Sequence, residues 1–183
     1  SSDALCTLSG HRRQTLWAVA SHIKQRDLMR NAPVRETLPV IAAAPEGEEI
    51  TSDYASTGLT LRRHPLALLR PKLARMNLHS AMELNNYPAG RLVRTTGIVT
   101  CRQRPGSANG VMFVTLEDET GITNVVVWNQ VVQKHRRETL NSRLLTVYGV
   151  WQCESDVRHV IAKRLVDHSH LLGNLIVGSR DFH

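Results

Sequence analysis

Two rhythms divide this chain. Up to about residue 90 the apolar residues recur at helical spacing; from Leu92 onward they alternate with polar ones, and β-branched residues dominate. In the first part, Leu16, Trp17, Val19, Ala20 and Ile23 gather toward one side of a helix that follows Ser9-Gly10, with Ser9 available as its N-cap. Pro33, Pro39 and Pro45 among small residues make 31–45 an extended linker. Residues 46–57 begin acidic and are followed by Gly58, the arrangement that the helix dipole and a left-handed C-cap favour. A further helix is expected from His64-Pro65, proline being suited to a first helical turn. Its buried face is Leu66, Leu69 and Leu73, with Leu68 beside it, and 80–84 adds a short helical turn.

The second part predicts strands over 92–101, 111–117, 122–128, 143–152 and 157–165, with a helix over 129–140 carrying Val131, Val132, His135 and Leu140. The breaks hold turn residues: Pro105-Gly106, Asn109-Gly110, Glu119-Thr120-Gly121 and Glu154-Ser155-Asp156. Three strands, a helix and two strands is the order of an oligonucleotide/oligosaccharide-binding (OB) barrel. The expected fold class is therefore α+β: a helical N-terminal segment, then a five-stranded Greek-key OB barrel with a helix between strands three and four. The barrel is expected over 92–168, after a helical connector over 46–91 and before a tail over 169–183.

In such a barrel, oligonucleotides lie across strands two and three, flanked by the loops joining strands one to two and four to five. Alternation sends Met112, Val114 and Leu116 inward and Phe113, Thr115 and Glu117 outward. In strand three, Val125 and Val127 are inward, and Asn124, Val126 and at the strand end Trp128 take the other face. An outward aromatic such as Phe113 suits base stacking, and the loop carrying Arg102 and Arg104 among glycine and serine suits a phosphate backbone. Tyr148 and Lys163 alternate onto the outer side of strands four and five, whereas Trp151 is expected in the core. The candidate nucleic-acid contacts are thus Arg102, Arg104, Phe113, Thr115, Asn124, Tyr148 and Lys163. Glu117-Asp118-Glu119 sits before Thr120-Gly121, where acids make turns, and no catalytic residue is assigned.

Charge supports a polyanionic partner. Lys and Arg number 23 against 16 Asp and Glu, a formal charge of +7, and 19 of the 23 are arginine. Three cysteines far apart argue against a disulfide framework and for a reducing cytoplasm. There is no closely spaced His/Cys set, so no metal site is expected, and His168-x-His170 reads as a solvated terminal segment. No apolar run is long enough for a membrane span, and the first residues lack the pattern of a signal peptide. Nor is there a phosphate loop or a nucleophile elbow.

Four stretches resemble one family. The segment 56–70, STGLTLRRHPLALLR, is similar to the region before the OB domain in bacterial C-family polymerase α subunits. Arg104-Pro105-Gly106 followed by 110–121, GVMFVTLEDETG, resembles the error-prone, DnaE-like branch, also called ImuC. Residues 179–183 resemble that branch's C-terminus, and 3–17 the tail of its tandem helix-hairpin-helix region, which assigns 1–30 to the end of that region.

The resemblance implies that the parent enzyme adds nucleotides to DNA during mutagenic lesion bypass, together with ImuB and ImuA proteins. It further implies that the aspartates and Mg of polymerisation lie in a palm domain absent here. This segment is then expected to need no cofactor and to have no polymerase activity. Gln14-Thr15-Leu16-Trp17 is a poor version of a clamp-binding peptide, on a helix expected to pack Leu16 and Trp17 inside, so no direct sliding-clamp contact is expected. The leading expectation is a cytoplasmic, nucleoid-associated module that binds single-stranded template DNA. The alternatives are a module docking the polymerase to ImuB or ImuA, and an anticodon-binding domain of a synthetase, which the strand pattern alone supports.

Overall fold

The computed structural model describes residues 10–21, 41–58, 60–107, 109–154, 157–173 and 180–182. Among the described residues, four helices come before the sheet: α1 (Arg12–Ser21), α2 (Glu46–Thr57), α3 (Pro65–Arg75) and α4 (Ala81–Asn85). Their ends follow local chemistry. Gly58 closes α2, its N–H donating to the Tyr54 carbonyl at 3.0 Å. His64 opens α3, its Nδ1 accepting from the Leu66 N–H at 3.2 Å, with Pro65 in the first turn. Ser80 and Glu83 form a capping box around the start of α4. Ser9, Ile23 and the linker over 31–40 lie outside the described residues.

α1 departs from expectation. Leu16, Trp17 and Val19 are about half exposed, and the residue buried in α1 is Arg12. Its guanidinium bonds to Asp53 and lies 3.3 Å from the Glu49 carboxylate, while Arg62 reaches the same two acids. The helix is held to α2 by charge, and Arg13 adds an ion pair to Glu48.

The strands are β1 (Leu92–Gln103), β2 (Met112–Asp118), β3 (Gly121–Val127), β4 (Leu144–Glu154) and β5 (Val157–Asp167), followed by a 3-10 turn over Ser169–Leu172 and a short β6 (Arg180–Phe182). They run in the order β2-β3-β5-β4-β1, and a further β1–β2 pairing closes the barrel. β3 and β5 are parallel and the other barrel pairs antiparallel. Two helices, α5 (Asn129–Lys134) and α6 (Arg136–Asn141), replace the single one expected between β3 and β4, with the break at His135. β6 was not expected; it pairs parallel to Cys101, Arg102 and Gln103 at the edge of β1.

One row of paired residues runs from Gln103 through Phe113, Val126, Ile161 and Val150, and returns to β1 at Leu92, eleven residues from its start. That offset is the stagger of a closed barrel with tilted strands. A bulge between Tyr148 and Gly149 helps β4 and β5 to bend. There a Cβ on Gly149 would come within 2.2 Å of the Ile161 carbonyl oxygen, so only glycine allows the approach.

The barrel interior holds Val93, Val99, Met112, Val114, Leu116, Val125, Val127, Leu145 and Val147, with Trp151 among them as expected, and Leu84 of α4 joins them. A second cluster ties the helices to the outside of the barrel. Ile50, Leu66, Leu73 and Leu78 pack with Ile98 of β1, Leu144 of β4 and Leu172. Among the described residues, no helix is long and apolar enough to cross a membrane.

Candidate nucleic-acid interface

The outward face of β2 and β3 carries the candidate site. Because Met112, Val114 and Leu116 point into the core, the residues between them must point out, and Phe113 is 40% exposed. It stands opposite Val126 on β3. Two residues further on, Trp128 follows the strand as the N-cap residue of α5, its carbonyl accepting from the Val131 and Val132 N–H groups at 2.8 and 2.9 Å. This fixes its backbone, while the residue remains 53% exposed. Phe113, Val126 and Trp128 line an open groove of about 680 Å³, bordered by Ser107 and Asn109 of the β1–β2 loop and by the first residues of α5.

The loop is seated by its last residues. Asn109 and Gly110 both have positive φ, 46° and 79°, and a Cβ on Gly110 would meet Asn129 at 2.8 Å. Glycine therefore lets the loop close onto the start of α5, along the rim of the groove.

The candidate contacts divide. Phe113 and Arg104 are exposed where expected, Phe113 on the sheet and Arg104 in the loop. Thr115 and Asn124 face each other on the same outward side of β2 and β3, with Thr115 Oγ1 3.5 Å from Asn124 Oδ1.

Arg102 is a correction. It belongs to β1, not to the loop, and is buried. Its Nε donates to the Thr139 carbonyl at 2.8 Å, and its other nitrogens bond the Ser142 carbonyl and the Asp181 carboxylate. A bulge between Val99 and Cys101 shifts the alternation by one residue and turns Arg102 toward the end of α6.

Tyr148 and Lys163 are outward but lie outside the groove lining. Tyr148 sits on β4 between Arg94 of β1 and Arg164 of β5. Trp128 lines the groove but is not among the contacts expected from the sequence. The signal was present, since it continues the outward series 124, 126, 128.

The acids have structural work. Asp118 Oδ1 accepts from the Thr120 and Gly121 N–H groups at 2.7 and 3.0 Å, and from the Thr120 hydroxyl. Its Oδ2 accepts from the Ala81 N–H at 2.8 Å and from Arg70. Glu119 binds the same guanidinium. Among the described residues, no group of three or more His, Cys, Asp and Glu is placed to hold a metal ion. His168 is anchored and not simply solvated: its Nδ1 lies 2.7 Å from the Thr146 hydroxyl, and burial holds its pKa below the ordinary histidine range.

Comparison with known proteins adds three findings. Residues 89–167 match the tRNA anticodon family, described as an OB-fold nucleic acid binding domain. The whole chain is 52% identical over 188 residues to an error-prone DNA polymerase of Bordetella parapertussis, and 50% identical over 185 residues to one of Ralstonia nicotianae. It spans only 18% and 17% of those two proteins. Among solved structures, asparaginyl-tRNA synthetase from Pyrococcus horikoshii, complexed with asparaginyl-adenylate, matches 50% of this chain and 22% of its own, with 23% identity and a TM-score of 0.41.

Proposed function

This chain corresponds to a C-terminal segment of the error-prone DNA polymerases, and from that premise we propose that it is their non-catalytic module for holding single-stranded template DNA. The observation that carries this reading is the pair of exposed rings, Phe113 and Trp128, on one groove beside a loop that presents Arg104. A ring face accepts any base, and stacking contributes roughly 1–3 kcal/mol per base. Arginine adds a fork of donors for phosphate oxygens, which carry no sequence information. The groove thus grips a strand without selecting its sequence, as a template holder must. In the parent polymerase the module would serve nucleotide addition at damaged template, with the metal-dependent chemistry performed elsewhere.

Fluorescence anisotropy with labelled single-stranded oligonucleotides tests this. Phe113→Ala with Trp128→Ala is expected to weaken binding at least tenfold at low salt. Binding indifferent to that pair, or absent at low salt, overturns the reading.

A second role rests on a separate observation. Leu16, Trp17 and Val19 leave an apolar face on α1, the kind of surface that docks a protein such as an ImuB or ImuA relative. Retention of those proteins by this chain, lost on Trp17→Ser, tests it.

A further inference from the structure

The helical layer covers only part of the outer side of β1 and β4. Ile98 and Leu144 are packed beneath it, and Thr96 and Thr146 are buried beside His168. Beyond that boundary the surface opens, and Arg94, Tyr148 and Arg164 follow as direct neighbours across β1, β4 and β5. The guanidinium carbons of Arg94 and Arg164 lie 5.6 and 5.5 Å from the centroid of the Tyr148 ring. Both arginines are exposed, and neither forms an ion pair among the described residues.

Several arginines elsewhere are treated differently. Arg12, Arg62, Arg63, Arg70 and Arg102 all end on carboxylates. Acids stand near Arg164 too, since Glu138 and Asp167 line the adjoining hollow, but Asp167 bonds to Ser169 instead. Two arginines kept unneutralised on either side of one ring are an arrangement for an outside anion. Each supplies several donors in a plane for phosphate oxygens, and the Tyr148 ring holds the pair in place.

The cluster also lies on a continuous path from the groove. Val126 pairs with Ile161 across the parallel strands. Two residues further along each strand direction stand Trp128 and Lys163, and Lys163 is the extra residue at the β4–β5 bulge beside Tyr148. At roughly 4.8 Å between neighbouring strands, Trp128 and Tyr148 are about 10 Å apart around the barrel, with the Lys163 charge between them.

We propose that Arg94, Tyr148 and Arg164 form a second contact for single-stranded DNA, taking the phosphodiester backbone where the strand leaves the Phe113–Trp128 groove. This rests on the groove being a DNA site. It goes further by giving the strand a direction across β5 and by lengthening the site beyond the groove.

The test is anisotropy on the 183-residue chain with two oligothymidylates, of about four and about sixteen nucleotides, which bracket the site sizes of single OB folds. Arg94→Gln with Arg164→Gln is expected to leave the short oligonucleotide unaffected and to weaken the long one about tenfold. The dependence of log K on log salt for the long oligonucleotide should become shallower by about 1.4, two phosphate contacts at roughly 0.7 each. Tyr148→Leu should weaken the long oligonucleotide, and Tyr148→Phe should not. Unchanged long-oligonucleotide affinity and salt slope in the arginine pair, with the short one still lost on Phe113→Ala and Trp128→Ala, overturns this proposal and leaves the groove standing. No binding of either length by the unaltered chain overturns both.

Discussion

Arg70 of α3 places its Nη2 3.3 Å from Oδ2 of Asp118, the last residue of β2. The contact joins the helical layer to the turn that connects the two groove strands. Because the same Asp118 oxygen also accepts from the Ala81 N–H, helix α3, helix α4 and the β2–β3 turn meet on one carboxylate.

Losing either partner should therefore be costly, and unequally so. Asp118 is almost wholly buried and satisfies three backbone N–H groups besides Arg70. Asp118→Ala is expected to lower unfolding free energy by more than about 3 kcal/mol, the scale for leaving a buried charge and donors unpaired. Arg70→Met, which keeps much of the aliphatic stem, should cost less. Equilibrium denaturation of both variants measures the order, and equal losses would show that the contact with Arg70, not the turn, is what matters.

Burial pushes the His64 pKa below the ordinary histidine value against the raising effect of Glu117, Glu119 and Asp118, while Arg70 adds to the lowering. The geometry agrees, since Nδ1 must be unprotonated to accept from the Leu66 N–H. A histidine depressed in the folded state contributes stability that is complete above its unfolded pKa of about 6.5 and is lost as pH falls through the folded value. Thermal midpoints should thus decline as pH drops from about 7 toward 5. His64→Asn, which can cap without titrating, should flatten part of that decline; His168, depressed by burial as well, should supply the remainder.

Arg102 and Arg104 should separate stability from binding. Arg102→Ala strips partners from two carbonyls and a carboxylate, and a loss of about 3 kcal/mol in stability is expected. Arg104→Ala should leave stability within about 0.5 kcal/mol and make the salt dependence of oligonucleotide binding shallower by about 0.7. Urea titration and anisotropy on the same two proteins decide; the reverse assignment would show that the buried arginine is a ligand contact after all.

The difference between these two arginines shows where the sequence was legible. Helix ends were readable because a cap is made within a few residues: Gly58 and His64-Pro65 announce themselves. Strand faces were readable while alternation held, which placed Met112, Val114 and Leu116 inside and Phe113 outside. A one-residue bulge near Thr100 breaks that rule, and the backbone shift leaves no mark in residue types, so Arg102 was read as a loop cation. β6 was invisible for another reason. Three residues carry no periodicity, and the strand forms because β1 offers an open edge at Cys101–Gln103. On α1 a helical stripe was legible but its burial was not, since charge pairing with α2 orients the helix.

Gly149→Ala tests how strictly the barrel is closed. With a Cβ 2.2 Å from the Ile161 oxygen and 2.7 Å from Val160 Cγ1, β4 and β5 must part at their bulge. A loss of about 3 kcal/mol or failure to fold is expected, at or above the usual range for overpacking. Circular dichroism during thermal unfolding reads it, and a midpoint within a degree or two of the parent's would mean that the strands yield easily.

The row that leaves β1 at Gln103 and rejoins it at Leu92 never meets its own beginning. A polymer lying along it follows a ramp and not a ring, so its incoming and outgoing ends reach different heights on the barrel. A strand can then be threaded past the module lengthwise without crossing itself, and it can be drawn along while still held.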